Sequence, residues 1–366
     1  MSKKHVRLLS VLGTRPEAIK MAPILHALRE DGVLESTVCL TGQHEGTPEA
    51  ILSHFGILPD IRLSLMRKHD TLSALSSRLL SELDEVIELS LPDAVLVHGD
   101  TASACFASLA AFYRHIPVLH VEAGLRSGDA FEPFPEEVYR RTVDAVSSLC
   151  LAPTERAAEA LRHEGHAESE IAVTGNSGLD ALRFTLSPTF SHPLLDACKG
   201  KRPILLTLHR RENQGEAYEG VLRAVRRAIE ERETGAHLLC ITHPNPHLAT
   251  RARAVLLGAA GVSVTPPLEP FVLHNLLSRA ALLLTDSGGL IEEATFLGIP
   301  TLVLRRVSER CEGEALRVVG NEEEAVYRAL SLALDAPRSV RPSCIYGDGH
   351  AAERILFHIK KYFAVS

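Results

Sequence analysis

The chain lacks a basic excess and lacks long apolar runs. Its 366 residues carry 39 Lys and Arg against 46 Asp and Glu, for a formal net charge of −7. Without a basic excess there is little to neutralise phosphates, which disfavours bulk binding to nucleic acid or to an anionic membrane. No uninterrupted apolar run approaches the roughly 20 residues that a membrane-spanning helix needs. These absences still permit a local anion site.

Cysteine pairs with metal or redox spacing are also lacking. The seven cysteines are scattered, with no CxxC pair and no zinc-type spacing. An odd, dispersed set in a chain of this length is typical of a reducing cytosol, so we expect a cytoplasmic protein with no metal site. The basic and then apolar start, 1–14, is interrupted by Arg7 and precedes no small-residue cleavage site, so it predicts a first strand rather than a signal peptide.

Three common catalytic and nucleotide motifs are missing as well. GxxxxGK[ST], HExxH and GxSxG do not occur in the sequence. Gly347, Gly349 and Ala352 match GxGxxA, but no βαβ unit follows them. This match therefore does not indicate a dinucleotide site.

What the sequence does contain is a regular alternation of short apolar runs and helical stretches. Continuous apolar segments such as 94–97 and 281–284 are typical of strands covered on both faces, as in parallel sheets. At about 150 residues per domain the length suggests two domains. Two successive runs of alternating strands and helices predict two doubly wound, Rossmann-like α/β domains. We place them at 1–170 and 171–350.

Polar residues follow four predicted strands at the carboxyl end, where parallel sheets bind ligands. They are Asp100 in VHGDT, Glu122 in HVEAGLRS, His209 in TLHRREN and Asp286 in TDSGG. An Asp at such a position is often only a helix N-cap, and Glu122 alone could be a buried hydrogen-bonded acid. Four such positions drawn from both halves of the chain favour a functional site.

Three helix starts could also carry chemistry. The segment 13–17, GTRPE, leads into a helix on which Arg15 and Lys20 can place positive charge near a phosphate. The segment 287–289, SGG, opens a second helix whose N–H groups could bind an anion, although a plain tight turn is the alternative. The pair Glu136-Glu137 begins a third helix, where acids either complement the helix dipole or supply an acid or base.

The combined motif set resembles one known family. GTRPEAIKMAP, TGQH, VHGDT, HVEAGLRS, PFPEE, TLHRREN, HPNP, TDSGG and YGDG occur in the order found in non-hydrolysing bacterial UDP-N-acetylglucosamine 2-epimerases. The resemblance implies a GT-B-like fold, in which two Rossmann-like domains have the active site in the cleft between them. It also implies that a C-terminal helix, 351–366, packs back on the first domain.

The resemblance implies reversible interconversion of UDP-GlcNAc and UDP-ManNAc. UDP and the C2 proton leave in an anti elimination that gives 2-acetamidoglucal, and UDP then adds back with protonation at C2 from the opposite face. This route needs acid and base groups around the sugar and strong binding of the departing pyrophosphate. It needs no cofactor and no metal. The resemblance further implies a homodimer whose binding partners are nucleotide sugars rather than nucleic acid or membrane. It also implies a role in cell-surface polysaccharide biosynthesis.

By the same resemblance, the candidate residues divide into two roles. The catalytic candidates are Asp100, Glu122, Glu136 and His209. The candidates for substrate binding are Arg15, Lys20, Arg140, His243, Ser287, Gly288, Gly289 and Glu293. Within this second set, 287–289 would cradle the diphosphate and Glu293 would bind the ribose. The face of C2 on which each acid acts is left open.

The chain departs from the family pattern at several positions. Tyr139 stands for the Asn of PEExNR, Ile291 for the Gln of SGGxQEE, and Leu273 for a Phe beside the uracil. The segment 308–320 differs from the usual TERPE segment and is shorter. Family members often bind a second UDP-GlcNAc as an allosteric activator, and Gly46 and His69 stand at or near the places involved. We therefore do not expect this regulation to operate in the same way.

Two alternative functions are compatible with the sequence. A hydrolysing epimerase would release UDP and ManNAc, although the motif wording fits the non-hydrolysing type better. A nucleotide-sugar-binding protein that has lost turnover is suggested by Tyr139 and the altered segment 308–320. A GT-B glycosyltransferase fits less well, because the acid-rich candidate set favours elimination chemistry and the fold alone does not determine function.

Overall fold

The chain forms two compact parallel α/β units. A computed structural model describes residues 5–43, 47–67, 70–210, 213, 215–231, 235–305, 315–335 and 340–366. Unit 1 comprises Met1–Phe184 and Tyr346–Ser366, and unit 2 comprises Thr185–Ile345. The predicted fold class, two Rossmann-like domains, is confirmed.

Unit 1 is built around a seven-stranded sheet. Its strands are β1 (Val6–Leu12), β2 (Leu34–Leu40), β3 (Ile61–Arg62), β4 (Ala94–His98), β5 (Val118–Val121), β6 (Leu149–Ala152) and β7 (Ile171–Val173). They lie in the order β3-β2-β1-β4-β5-β6-β7, with parallel pairing throughout. Its helices are α1 (Arg15–Asp31), α2 (Thr47–His54), α3 (Leu72–Ser90), α4 (Ala102–Tyr113), α5 (Glu136–Val146), α6 (Glu155–His163) and α7 (Ser177–Thr185).

Unit 2 repeats this architecture with a six-stranded sheet. Its strands are β8 (Arg202–Thr207), β9 (Ala236–Ile241), β10 (Val262–Thr265), β11 (Leu282–Thr285), β12 (Thr301–Val303) and β13 (Leu316–Val318). They lie in the order β10-β9-β8-β11-β12-β13, again with parallel pairing. Its helices are α8 (Pro193–Ala197), α9 (Glu216–Glu230), α10 (Pro246–Leu256), α11 (Pro270–Leu277), α12 (Gly288–Leu297) and α13 (Glu323–Asp335).

The sheet of unit 1 carries a hydrophobic core on each face. Leu8 and Leu12 pack in one core with residues of α1, whereas Leu9 and Val11 pack in another with residues of α3 and α4. Successive side chains of a strand point to opposite faces, so a continuous apolar run such as VRLLSVL fills both cores. Burying both faces in this way stabilises a parallel sheet.

The strand order creates a topological switch point in each sheet. β1 pairs with both β2 and β4, so the chain moves outward in opposite directions on the two sides of β1. β8 likewise pairs with both β9 and β11. At such switch points the loops beyond the carboxyl ends diverge and leave room for a ligand. In unit 1 these loops begin at Gly13 and Gly99, and in unit 2 at Leu208 and Asp286.

A last helix, α14 (Ala351–Phe363), completes unit 1. Its residues Ile355 and Ile359 are fully buried in the core that contains Met21 of α1. At its start the Asp180 carboxylate of α7 accepts the N–H groups of Ala351 and Ala352, at 3.1 and 2.9 Å. Because these contacts hold α7 in unit 1, the chain enters unit 2 after residue 184, later than the predicted division at residue 170.

The described ranges lack membrane-spanning helices and clusters of metal ligands. None of their helices combines the length and the apolar character needed to cross a bilayer. No group of three or more His, Cys, Asp or Glu side chains in these ranges could hold a metal ion. Six described cysteines are free thiols, of which five are buried, and Cys344 is exposed.

Candidate active site

The acids Asp100 and Glu122 lie just beyond two neighbouring strands of unit 1. β4 pairs with β5 so that His98 is opposite Val121, and the two acids follow this pair. Glu122 has φ 67, a left-handed backbone that is uncommon for a glutamate. A Cβ on Gly99 would lie 3.4 Å from Glu122 Oε2, so the two loops approach each other closely.

Cations accompany both of these acids. Lys20 of α1 forms an ion pair through Nζ with Glu122 Oε1, and the two side chains are 13% and 9% exposed. His98 Nε2 lies 3.8 Å from the other oxygen of Glu122. Arg140 of α5 binds Asp100, with Nε 3.1 Å from Oδ2. The structure therefore places two expected substrate ligands, Lys20 and Arg140, directly on two expected catalytic acids.

The acids Glu136 and Glu137 at the start of α5 have different environments. Glu137 is fully buried and accepts the N–H of Ser127 at 3.0 Å and Nη1 of Arg140 at 3.2 Å. It also binds Arg141. Glu136 Oε2, in contrast, is buried without a hydrogen-bond partner. Glu137 thus has a structural role, whereas Glu136 retains an oxygen that can accept a proton.

Glu17 is a buried acid to which the sequence reasoning gave no role. Its Oε2 accepts the N–H groups of Gly13 and Thr14 at 3.1 and 2.7 Å, and its Oε1 accepts the hydroxyl of Thr101 at 2.8 Å. Burial raises its pKa to about 7, although the hydrogen bonds from Thr14 and Thr101 oppose this shift. Glu17 therefore joins the loop before α1, at Gly13 and Thr14, to the loop that contains Asp100. The spacing Thr14-x-x-Glu17, a capping box, was the available signal.

In unit 2, Asp286 organises the loop that contains His209. Its carboxylate accepts the N–H of His209 at 2.9 and 3.0 Å and the N–H of Arg210 at 3.0 Å. It also accepts Nδ2 of Asn213 at 2.7 Å. Asp286 is fully buried, and the N-cap of α12 is the next residue, Ser287. The carboxylate is therefore neither a helix cap nor exposed to a ligand, because it holds the loops after β8 and β11 together.

His209 and His243 lie next to each other beyond β8 and β9. Their ring centroids are 5.5 Å apart. His243 Nδ1 accepts the backbone N–H of Asn245 at 2.9 Å. Since an N–H group can only donate, Nδ1 is unprotonated in this arrangement and the neutral ring carries its proton on Nε2. His243 can thus donate a hydrogen bond to an anion from Nε2.

The N terminus of α12 has the layout of an anion site. Ser287 makes no side-chain cap, so it does not satisfy the first N–H groups of the helix. A Cβ on Gly289 would meet open space, which leaves room for a ligand against the backbone. One turn on, Glu293 is 9% exposed, and its Oε2 lies 3.5 Å from His274 Nε2 without a hydrogen bond. A ribose hydroxyl could occupy this acceptor.

The other candidate positions have the following environments. Arg15 is the first residue of α1. Ile291 is fully buried, and Leu273 packs against a core of unit 2. Tyr139 packs in the core of unit 1 with its ring centroid 5.9 Å from that of Phe106, and burial raises the pKa of its hydroxyl. Gly46, His69 and residues 308–314 lie outside the described residues.

The expected site residues therefore form one group in each unit. Unit 1 brings together Lys20, Glu122, Asp100 and Arg140, with Arg15 and Glu136 on the connected elements α1 and α5. Unit 2 brings His209 close to His243, and it places Ser287, Gly288, Gly289 and Glu293 along the first two turns of α12.

Comparison with known proteins gives one family. The family model described as UDP-N-acetylglucosamine 2-epimerase matches residues 26–360. The chain is 42% identical to a Bacillus subtilis protein named UDP-N-acetylglucosamine 2-epimerase, covering 97% of this chain and 96% of that one. A protein of the same name from Escherichia coli K12 is 38% identical, with coverage of 97% and 98%.

Solved structures agree with this assignment. The UDP-GlcNAc 2-epimerase of Neisseria meningitidis, bound to UDP-GlcNAc, superposes with a TM-score of 0.90 at 34% identity, covering 97% of this chain and 100% of that one. The enzyme of Methanocaldococcus jannaschii, in complex with UDP-GlcNAc and UDP, has a TM-score of 0.84 at 30% identity, with coverage of 98% and 100%. The chain belongs to the UDP-N-acetylglucosamine 2-epimerase family.

Proposed function

We propose that this protein catalyses the reversible epimerisation of UDP-GlcNAc to UDP-ManNAc at C2 of the sugar. The observation that carries this proposal is the pair of acids at adjacent strand ends, Asp100 and Glu122, each accompanied by a cation. Acids in this position can move protons to and from a sugar carbon. The cations Arg140 and Lys20 can attract the anionic substrate while the acids stay oriented.

The reaction we propose proceeds through elimination and re-addition. The C2 hydrogen is not adjacent to a carbonyl, so its direct removal is unfavourable. A base takes the C2 proton while the C1–O bond breaks, UDP leaves with the bonding electrons, and a C1=C2 double bond forms. Addition of UDP to C1 with protonation of C2 from the opposite face gives the epimer. Atoms and charge balance without an oxidant or reductant.

The candidate residues would divide this work according to their chemistry. Asp100, Glu122 and Glu136 would supply the acid and base groups. His209 and the uncapped N terminus of α12 would stabilise the negative charge that develops on the departing diphosphate. Glu293 would accept the ribose hydroxyls.

Proton NMR of UDP-GlcNAc incubated with the protein in D2O tests the proposal. We expect a mixture of UDP-GlcNAc and UDP-ManNAc with deuterium at C2. Stoichiometric UDP with free ManNAc would instead identify a hydrolysing enzyme. Binding without exchange of the C2 hydrogen would identify a nucleotide-sugar-binding protein that lacks turnover.

Three isosteric substitutions test the acids. Asp100→Asn, Glu122→Gln and Glu136→Gln should each lower kcat by about 100-fold or more while UDP affinity is retained. Glu159→Gln, an exposed glutamate of α6, is the matched control and should keep wild-type turnover. Wild-type rates in all three acid variants would rule out this assignment.

The ribose contact is tested separately by Glu293→Ala. Glu293 Oε2 makes no hydrogen bond within the protein and is the proposed acceptor for the ribose hydroxyls. The variant should therefore bind UDP more weakly, as measured by calorimetry. An unchanged affinity for UDP would remove Glu293 from the nucleotide site. Inorganic pyrophosphate, which has no ribose, should bind wild type and variant equally. This comparison separates the ribose contact from the diphosphate contact.

We also propose that the protein is a homodimer in the cytoplasm. Exposed apolar side chains at the ends of α3 and α4, Leu89, Leu91, Phe112 and Tyr113, could supply a self-associating surface. The six free thiols of the described residues suit a reducing compartment. Sedimentation equilibrium should give twice the chain mass, and Phe112→Glu should shift it toward the monomer.

A further inference from the structure

A buried cluster of charged residues lies beneath the acids of unit 1. His120 of β5 and Asp144 of α5 are both fully buried, and His120 Nδ1 lies 2.6 Å from Asp144 Oδ1. The other ring nitrogen, Nε2, lies 2.8 Å from the carbonyl oxygen of Gly99. The second oxygen of Asp144 accepts Nη1 of Arg126 at 2.7 Å and the N–H of Gly124 at 3.2 Å.

This cluster contacts every segment that carries a proposed catalytic acid of unit 1. The carbonyl held by His120 belongs to the residue before Asp100. The N–H held by Asp144 belongs to the residue two positions after Glu122. Asp144 itself lies on α5, the helix that begins at Glu136. One pair of side chains thus connects the three acid-bearing segments.

The hydrogen bonds also define the protonation of the pair. A carbonyl oxygen and a carboxylate oxygen are both acceptors, so both ring nitrogens of His120 must donate to satisfy the two contacts. Only an imidazolium can do so while Asp144 is ionised. Burial alone would raise the pKa of Asp144, but His120 and Arg126 lower it below its ordinary value. While Asp144 is ionised, a neutral His120 would lose one of its two contacts.

We propose that the His120–Asp144 pair positions Asp100, Glu122 and Glu136, and that His120 does so by donating hydrogen bonds from both ring nitrogens. The pair does not touch the substrate, and it acts by fixing the Gly99 carbonyl and the Gly124 amide. The inference rests on the proposed function for its kinetic consequence, but the charge state of His120 does not depend on turnover. A misplacement of about 1 Å in an active site can cost about 100-fold in rate.

Nitrogen-15 NMR of the histidine side chains tests the charge state. At pH 8 we expect two ring N–H signals for His120, one for each acceptor that the ring contacts, assigned by their loss in His120→Gln. The same pair of signals should change in Asp144→Asn, because the ring loses its counter-charge. A single ring N–H for His120 at this pH would overturn the proposal.

Kinetics test the positioning role. His120→Gln should lower kcat by about 100-fold with UDP affinity unchanged, since the His120–Asp144 pair does not touch the substrate. The matched control is His237→Gln, a buried strand histidine of unit 2 whose Nε2 bonds Ser263 Oγ at 2.8 Å. We expect this control to change stability but not kcat. A folded His120→Gln with wild-type kcat would overturn the positioning role.

The outcomes separate this inference from the proposed function. If wild-type protein does not exchange the C2 hydrogen, the proposed function fails, and the ring N–H signals still report on the pair. If His120→Gln does not fold, Asp144→Glu provides the kinetic test. It keeps the charge but moves it by one methylene, so it should retain the imidazolium signals while kcat falls. An Asp144→Glu enzyme with wild-type kcat would then contradict the positioning role.

Discussion

Glu17 is a single buried side chain with a consequence for the stability of the protein. Its folded-state pKa of about 7 is raised above the ordinary value of 4.5 because the carboxyl is buried. Between these two pH values the folded protein holds a proton that the unfolded chain has lost. The contribution of Glu17 is therefore fully present below pH 4.5 and is lost as the pH rises through 7.

We predict that Glu17→Gln removes this pH dependence. The amide can accept the N–H groups of Gly13 and Thr14 and still bond Thr101, so the fold should be kept. The difference in unfolding free energy between variant and wild type should grow by about 3 kcal/mol from pH 4.5 to 7.5, as measured by denaturant titration. Glu159→Gln, on the surface, should show no such change, and a parallel response of both variants would contradict the prediction.

Two glycines at helix starts should respond in opposite ways to alanine. A Cβ on Gly13 would lie 2.0 Å from Ser103 Oγ and 2.7 Å from Thr41 Oγ1, which are hydrogen-bonded to each other. Gly13→Ala should therefore cost about 1–3 kcal/mol of stability. Gly289→Ala meets open space and should leave the melting temperature unchanged or higher, while it weakens UDP binding at the proposed cradle. Equal UDP affinity for wild type and Gly289→Ala would argue against that cradle.

At the residue scale, the sequence located acids by position but could not separate their roles. Asp100 and Glu122 were found because they follow apolar strands. Asp286 follows a strand in the same way, yet its carboxylate is used by backbone N–H groups of another loop. Glu17 lies in a helix first turn, where acids are common for electrostatic reasons alone. The capping box indicates the local donors of Glu17, but the donors from distant loops, Thr101 for Glu17 and His209 for Asp286, cannot be predicted from a local pattern.

At the scale of elements, α14 depends on a cap from another helix. The side chain of its own N-cap residue, His350, does not cap the helix, and Asp180 accepts the first two N–H groups instead. Asp180→Ala should leave these buried donors unsatisfied and cost about 1–3 kcal/mol. Hydrogen exchange should show faster exchange at the start of α14 than in wild type. Asp180→Asn, which keeps one acceptor, should lie between the two.

The N terminus of α12 gives a second prediction for an element. If it binds the diphosphate, UDP should slow hydrogen exchange at Gly289 and Leu290. The start of α6, where the Thr154 hydroxyl accepts the N–H of Ala157 at 3.2 Å, should be unaffected and serves as an internal reference. Equal protection of both helix starts would indicate general stabilisation rather than diphosphate binding at α12.

Central strands were predictable from sequence, but the edge strands β3 and β13 were not. The expected strand segments 94–97 and 281–284 correspond to β4 and β11 to within one residue at each end. β3 and β13, in contrast, have two and three residues and only partial burial, so they lack the apolar run that identifies a strand. Their pairing is set by the neighbouring strand rather than by their own side chains.

At the scale of the whole molecule, each unit has its own cores, but only unit 1 is discontinuous in sequence. Removal of 346–366 would expose the surface of α1 on which Ile355 and Ile359 pack. We predict that the shortened chain loses hydrogen-exchange protection in β1 and β2, whereas β8 and β11 of unit 2 keep theirs. A chain shortened only by 364–366 is the control. Uniform loss of protection in both units would show that they do not fold separately.

The packing of α14 on α1 also affects the order of events during synthesis. The ribosome makes α1 near the beginning of translation and α14 only after the whole of unit 2. Domains of a growing chain usually fold from the N terminus onward. In this protein, part of the apolar surface of unit 1 therefore stays uncovered until translation has passed residue 359. A chain released early would thus present this uncovered surface to chaperones and proteases, so unfinished copies can be recognised before they bind a nucleotide sugar.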